Sequence, residues 1–345
     1  MTSEHQRRLK NMTPPIYSNN STMRITNPIE RYTWATYFIL IITLSLIGDT
    51  LILIASSSKY KAIQLHKVIV TIMQHMAVCD ILTALAALYG PVAMIADGEV
   101  LGKVACYLST FVVYLSFPTS FLLISAITTT KMWLVKYPLH CSGWSTRRSH
   151  VICVACWLFA ATVDVAMVIV DKDDISFKYK GYKCDYHFSA RIWKWLRPVL
   201  TIFTSLLPSI VAVIATLMLL LEARKVAKRG RGTLRWQGMT TVILTAVFYC
   251  LSIVPFSVYL IAGPHVTQEP TGWFHLQFYR CAWSILILSV VSNFYIYLLT
   301  VTSFRDFVLR RFPKATLGIS VKKFNAENSV YKFDSPKSRV FQMGK

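Results

Sequence analysis

Residues 103–136 read KVACYLSTFVVYLSFPTSFLLISAITTTKMWLVK, a run of apolar, aromatic and small hydroxylated residues with no acidic member. Cys106 and Lys131 are 25 residues apart within it, which on a helix is about 38 Å, so the two would lie at opposite faces of a membrane on one rod. The rest of the chain agrees with that reading. Its 345 residues are 54% hydrophobic and 15% charged, too apolar for a soluble domain of this length. Windows of roughly 20 apolar residues, the length that crosses a ~30 Å hydrocarbon core, occur seven times: 32–56, 67–94, 103–136, 150–170, 195–222, 238–263 and 274–300. Seven spans put the two termini on opposite sides.

The net charge of +21 is distributed in short blocks between the apolar runs. Lys59, Lys61 and Lys67 follow the first span; Lys136, Arg147 and Arg148 the third; Arg224, Lys225, Lys228, Arg229, Arg231 and Arg235 the fifth. The opposite loops are mixed in sign, with Asp97 and Glu99 in one, Asp171, Asp173, Asp174 and Asp185 among lysines in the next, and Glu269 in the last. This asymmetry predicts a multi-pass membrane protein with its N-terminus outside and its tail in the cytosol. It also argues against a nucleic-acid partner, because the aromatics lie in or at the ends of the apolar segments instead of on a basic face. Residues 1–31 form a polar arm without the apolar core of a signal peptide. Its sequons at Asn11, Asn19 and Asn20 are usable for glycosylation only on the outer side. The four expected segments are this arm, a bundle over 32–302, an amphipathic membrane-surface helix over 303–312 (SFRDFVLRRF), and a disordered basic tail over 313–345.

Of the eight cysteines, Cys106 and Cys184 fall on the outer side, where a bridge would persist, and two are enough for one. No spacing of His, Cys or acidic residues suggests a structural metal, no nucleophile-base pattern suggests catalysis, and no cofactor is implied. A transporter or channel is the rival class; it would need polar groups along a through-path, and charges within the spans are few.

Each span carries one landmark in order: Gly48-Asp49 in the first, Ala77-Val78-Cys79-Asp80 in the second, Cys106 through Lys131 in the third, Trp157 in the fourth, Pro208 in the fifth, Pro255 in the sixth and Asn293-Phe294-Tyr295-Ile296-Tyr297 in the seventh, with Pro138-Leu139 after the third. In this order they make the chain similar to rhodopsin-like (class A) G-protein-coupled receptors over roughly 32–312. The departures mark a divergent member. Thr130-Lys131-Met132 stands for Asp-Arg-Tyr, Ser252-Ile253-Val254-Pro255 for Cys-Trp-x-Pro, Thr216 for a tyrosine, and Phe294 for the proline of NPxxY.

The resemblance implies an all-α integral membrane fold, a seven-transmembrane helix bundle with a short amphipathic helix after the seventh span. It implies a receptor for an extracellular ligand that acts on heterotrimeric G proteins and arrestin, with membrane lipids around it and no catalysis. A bond between Cys106 and Cys184 would pin the second outer loop over the bundle. Carried over by position, the cavity wall would include Val113, Tyr114, Phe117, Arg197, Phe256, Tyr259, Tyr279 and Arg280. Val113 replaces the aspartate that amine receptors use, and Ile287 the lysine that holds retinal, so neither a monoamine nor retinal is expected. Arg197 and Arg280 either snorkel to outer water or point inward to an acidic ligand group, with Asp164 a possible internal partner for Arg197. Asp80, Ser120 and Asn293 match a sodium site; Asp49 would stand beside Asp80, and two adjacent carboxylates share a proton or bind a cation more strongly than one. Lys131 would face Arg235 below Pro255, turning the family's attraction into repulsion and favouring basal activity. Pro255 and Tyr297 belong to the same activation machinery. Lys131 also lacks arginine's planar fork, so the alternative is a decoy or arrestin-biased receptor that couples poorly to G proteins.

Overall fold

The computed structural model describes residues 25, 27–57, 67–137, 141, 144–170, 176–178, 182–185, 196, 199–228, 233–266 and 273–311. Side chains are described for these except at 170, 176, 178, 185, 223, 226–228, 233–239, 258–266, 273–277, 279, 302–303 and 310–311. The sequons at Asn11, Asn19 and Asn20, together with Pro138, Leu139, Arg197 and residues 312–345, lie outside the described residues.

Seven helices are long and apolar enough to cross a membrane: Pro28–Ser56, Lys67–Ala96, Gly102–Lys136, Thr146–Ile169, Val199–Glu222, Thr240–Ser257 and Arg280–Thr300. The sixth and seventh continue as regular helix beyond their apolar parts, over Thr233–Val266 and Trp273–Thr300, and a short helix, Thr302–Arg311, follows. The spans carry hydrocarbon on their outward faces, with Leu40, Ile47, Leu158, Ile169, Leu217, Leu251 and Leu299 exposed, and small hydroxylated residues inside, among them Ser116, Thr119, Ser120 and Thr128. That distribution suits lipid, where apolar exposure is free and packing depends on small and polar contacts between helices. Three inward hydroxyls of the third span are satisfied within their own helix: Thr110, Thr119 and Thr128 donate to the carbonyls of Cys106, Leu115 and Ile124 at 3.0, 2.7 and 3.0 Å.

The first span begins at Pro28, before the apolar window that opens at Tyr32. The Asn27 side chain accepts from the Ile29 N–H at 2.9 Å and Pro28 takes the first helical position, a start that fits both residues. Hydropathy misses it because Glu30 and Arg31 occupy the first turn.

Prolines set the irregularities. The second span breaks into Lys67–Ala87 and Tyr89–Ala96, where Pro91 offers no N–H to the Ala87 carbonyl. In the fifth, a π-helical turn over Ile202–Leu206 runs directly into Pro208, whose carbonyl accepts from Ser125 Oγ at 2.5 Å. Pro118 lies inside the third span.

The third span packs against the second, fourth, fifth and sixth, and the seventh against the first and sixth. Burial follows: 56% of the third span's apolar window and 61% of the seventh's are buried, against 22% of the peripheral fourth. First and seventh spans approach so closely that a Cβ on Gly48 would stand 2.6 Å from Cβ and Cγ of Phe294. Between the fourth and fifth spans, β1 (Ser176–Lys178) and β2 (Lys183–Asp185) form an antiparallel hairpin with Phe177 opposite Cys184. Cys184 is bonded to Cys106 at the start of the third span.

Candidate functional site

The hairpin closes one end of the bundle, and a cavity with about 100 Å³ of room for small occupants lies beneath it. The third span lines it with Val113, Tyr114, Phe117 and Phe121, the fifth with Leu200, Thr201, Thr204 and Ser205, the sixth with Ile253 and Phe256, the seventh with Trp283 and Leu286, and β2 with Lys183. Thr204 and Ser205 lie within the π-helical turn. A smaller neighbouring cavity between the first, second and third spans shares Val113, Tyr114, Lys183 and Trp283 with the larger one.

An aromatic column forms the lower wall. Phe256 meets Trp283 with ring centroids 5.6 Å apart, Trp283 meets Phe117 at 5.8 Å, Phe117 stacks on Phe121 at 6.2 Å, and Phe121 abuts Tyr249 edge-on at 4.9 Å. The column ends on a buried polar cluster. Ser120 Oγ donates to Asp80 Oδ1 at 3.0 Å, Asn293 Nδ2 donates to Asp80 Oδ2 at 2.9 Å, and Ser45 Oγ donates to Asp49 Oδ2 at 2.8 Å. Asp49 lies within reach of the Asp80 charge. Asp49 Oδ1 and Asn293 Oδ1 are buried oxygens that accept no hydrogen bond. Buried oxygens without donors in a cluster that holds a carboxylate have the chemistry of ligands for a hard cation.

At the hairpin end, the first span uses its opening turn to hold its neighbours. Glu30 Oε1 accepts from Arg280 Nη1 of the seventh span at 2.9 Å, and Arg31 Nη1 pairs with Asp97 Oδ2 at 2.5 Å. Asp97 also accepts from the hydroxyl of Tyr182 at 3.2 Å. Tyr182 is fully buried. Burial, and next the Asp97 charge, push its phenol above the ordinary tyrosine value, so it stays a donor.

Comparison with known proteins agrees with this architecture. The chain matches the family described as 7 transmembrane receptor (rhodopsin family) over residues 48–299. It belongs to the rhodopsin family of seven-transmembrane receptors. The crystal structure of squid rhodopsin superposes with a TM-score of 0.71 at 12% identity, covering 90% of this receptor and 94% of the squid chain; at that identity the likeness is one of fold. No curated protein matches. The receptor is therefore a multi-pass membrane protein of a family that is not enzymatic.

Of the residues carried over by position, Val113, Tyr114, Phe117 and Phe256 line the larger cavity. Arg280 does not. Its guanidinium turns to Glu30, an acid that hydropathy had placed outside the first span. Tyr259 and Tyr279 have side chains outside the described residues, as does Arg235. Asp164 is fully buried in the fourth span and is not part of the cavity lining. Asp80, Ser120 and Asn293 come together as their positions imply, with Asp49 beside them. At the far end of the third span, Thr130 is buried and Lys131 half-buried. Glu222, near the end of the fifth span, binds Lys225 at 2.9 Å.

Positional transfer missed Trp283 and Lys183. The aromatic that the sixth span lacks at Ile253 is supplied to the cavity by Trp283 of the seventh. Trp283 follows Cys281 and Ala282 in an apolar stretch and gives no signal of its own. Lys183 lies between the fourth and fifth spans, outside every apolar run, and only its place immediately before Cys184 hints that the bridge draws it inward.

Proposed function

We propose that this receptor sits in the plasma membrane with the hairpin end outside and the Lys131 end in the cytosol. A peptide or small-molecule ligand enters the cavity from outside and shifts an existing equilibrium toward an open cytosolic face, and heterotrimeric G proteins read the change. The observation that carries this is the unbroken aromatic column from the cavity to the polar cluster: Trp283, Phe117 and Phe121 line the cavity, and Phe121 touches Tyr249 above Asp80. A ligand that displaces Trp283 or Phe117 would therefore move side chains that abut the carboxylate.

The same cluster would hold sodium on Asp80, Ser120 and Asn293, with Asp49 adding a second carboxylate. A bound cation supplies positive charge that offsets the desolvation of both acids and favours the closed arrangement. Pro255 and Tyr297 lie on the two helices that would move, and Tyr297 is buried next to both acids.

The test is agonist-independent and agonist-driven G-protein activation measured beside arrestin recruitment in cells expressing the receptor. G-protein activation above that of untransfected cells supports the reading. Arrestin recruitment alone would favour the second reading, a decoy or arrestin-biased receptor, for which Thr130-Lys131-Met132 in place of Asp-Arg-Tyr is the motivating feature.

A further inference from the structure

We propose that His75 and His150 form a bidentate site for a transition-metal dication of the zinc class, at the seam between the second and fourth spans. His75 lies eight residues into the helix Lys67–Ala87 and His150 four residues into Thr146–Val170, about 12 Å and about 6 Å of rise. Successive spans run in opposite senses, so both helix starts stand at the end of the bundle where the third span finishes at Lys136. His75 is half-buried and His150 exposed, and the pair can be reached from outside the bundle. His75 Nε2 is 3.3 Å from His150 Nδ1, with ring planes 73° apart and centroids 5.5 Å from each other.

That separation fits either of two states. Without metal, one nitrogen carries a proton and donates it to the other. With metal bonds of about 2.0–2.1 Å, the edge of a coordination tetrahedron is roughly 3.3–3.4 Å, so the same spacing is the bite of a two-histidine chelate. The donating ring then keeps its proton on its other nitrogen, and no net proton is lost. A hydrogen bond alone does not call for imidazole: one residue away, Gln74 ties the second span to the first by donating to the Ser56 carbonyl at 3.2 Å. Two ionisable rings meeting across a helix seam carry a desolvation cost that a simple contact would avoid. Neutral imidazole suits zinc, copper and nickel, whereas magnesium and calcium take oxygen ligands. Among the described residues no group of three His, Cys, Asp or Glu side chains could hold a metal ion, so the remaining coordination positions fall to water. Bound metal would staple the second span to the fourth.

The experiment follows the Tm of the purified receptor in lipid nanodiscs against zinc concentration, with magnesium as the control. Zinc is expected to raise Tm saturably and magnesium to leave it unchanged. His75→Gln and His150→Gln each retain a hydrogen-bonding amide, and each should raise the half-maximal zinc concentration at least tenfold, equivalent to about 1.4 kcal/mol. The double variant should add little, because loss of one ligand already breaks the chelate. Tm without metal reports whether each variant folds, and either one decides if the other does not. On wild type, one equivalent of copper(II) should give a paramagnetic resonance spectrum with nitrogen coupling from two imidazoles; coupling from a single imidazole would overturn the assignment. The chain has eight histidines, so a zinc effect that survives substitution in a folded variant would place the metal elsewhere and overturn it too. So would a loss confined to one of two folded variants, an equal effect of magnesium, or no effect of zinc on wild type.

Discussion

At position 48 a missing methyl group decides how near the first span comes to the seventh. The ring-bearing carbons of Phe294 occupy the space a Cβ on Gly48 would need, and Phe294 is wedged further by Phe304, whose ring lies 6.0 Å away. Gly48→Ala is expected to destabilise the receptor by roughly 1–3 kcal/mol, the usual cost of overpacking. In a Phe294→Gly background, where both contacting carbons are gone, the cost of Gly48→Ala should largely disappear, and thermal unfolding of the four variants in nanodiscs gives the coupling directly. Asp49, one residue on, is governed by charge. Its Oδ1 accepts no hydrogen bond and it lies near Asp80, so, if the proposed sodium site lowers basal signalling, Asp49→Asn should raise the half-maximal sodium concentration for that effect by about tenfold, equivalent to ~1.4 kcal/mol. Sodium curves for wild type and variant that overlay across a pH series would remove the second carboxylate from the mechanism. The carboxylates were legible from sequence because a charge at bilayer depth is conspicuous in any apolar run. The need for glycine at 48 was not, since it comes from a side chain 246 positions away.

Elements show the same division. All seven spans could be read from hydropathy alone, because each holds a run of about 20 residues with few charges, the length a hydrocarbon core demands. Their ends were less visible: the first turn at Pro28 carries Glu30 and Arg31, which lower the local hydropathy while anchoring the seventh span and the loop after the second. The hairpin and its depth were also hidden, since the register that turns Lys183 inward depends on pairing Phe177 with Cys184. Asp97 joins these elements. It holds a left-handed backbone, φ 58°, and its carboxylate receives both Arg31 and Tyr182. Asn tolerates that backbone nearly as well as Asp, so Asp97→Asn isolates the loss of charge and should cost about 1–2 kcal/mol, a charge-assisted contact being worth that order when partly buried. Asp97→Ala should cost more, because a Cβ-bearing residue without the polar side chain also strains the turn. Tm values of the two variants, with surface expression as a check on folding, test the order.

Over the whole molecule, the ends of the third span are built on opposite electrostatic plans. The Cys106 end is fastened by a disulfide and by the pairs Arg31–Asp97 and Glu30–Arg280, whereas at the Lys131 end Thr130 stands where the family has an acid. Such asymmetry suits a receptor whose outer half keeps its shape while the inner half opens. If Lys131 lies opposite Arg235, as the family resemblance implies, two screened cations would repel by ~1 kcal/mol. A bias of that size raises the ratio of open to closed receptor about fivefold, since ~1.4 kcal/mol is tenfold. Arg235→Glu replaces the repulsion by attraction and should lower agonist-independent G-protein activation by at least that factor, while leaving Tm within a degree or two because surface charges contribute little to folding. Lys131→Arg makes the complementary case. It keeps the charge but adds a planar fork of donors for a G-protein carbonyl or carboxylate, so agonist-driven coupling should rise whereas the Arg235→Glu response in that background persists. An unchanged baseline in Arg235→Glu, at equal surface expression, would mean that repulsion does not set the resting equilibrium. A low baseline in wild type that Lys131→Arg lifts would instead locate the weakness of coupling in the missing guanidinium, the chemistry on which the decoy reading depends.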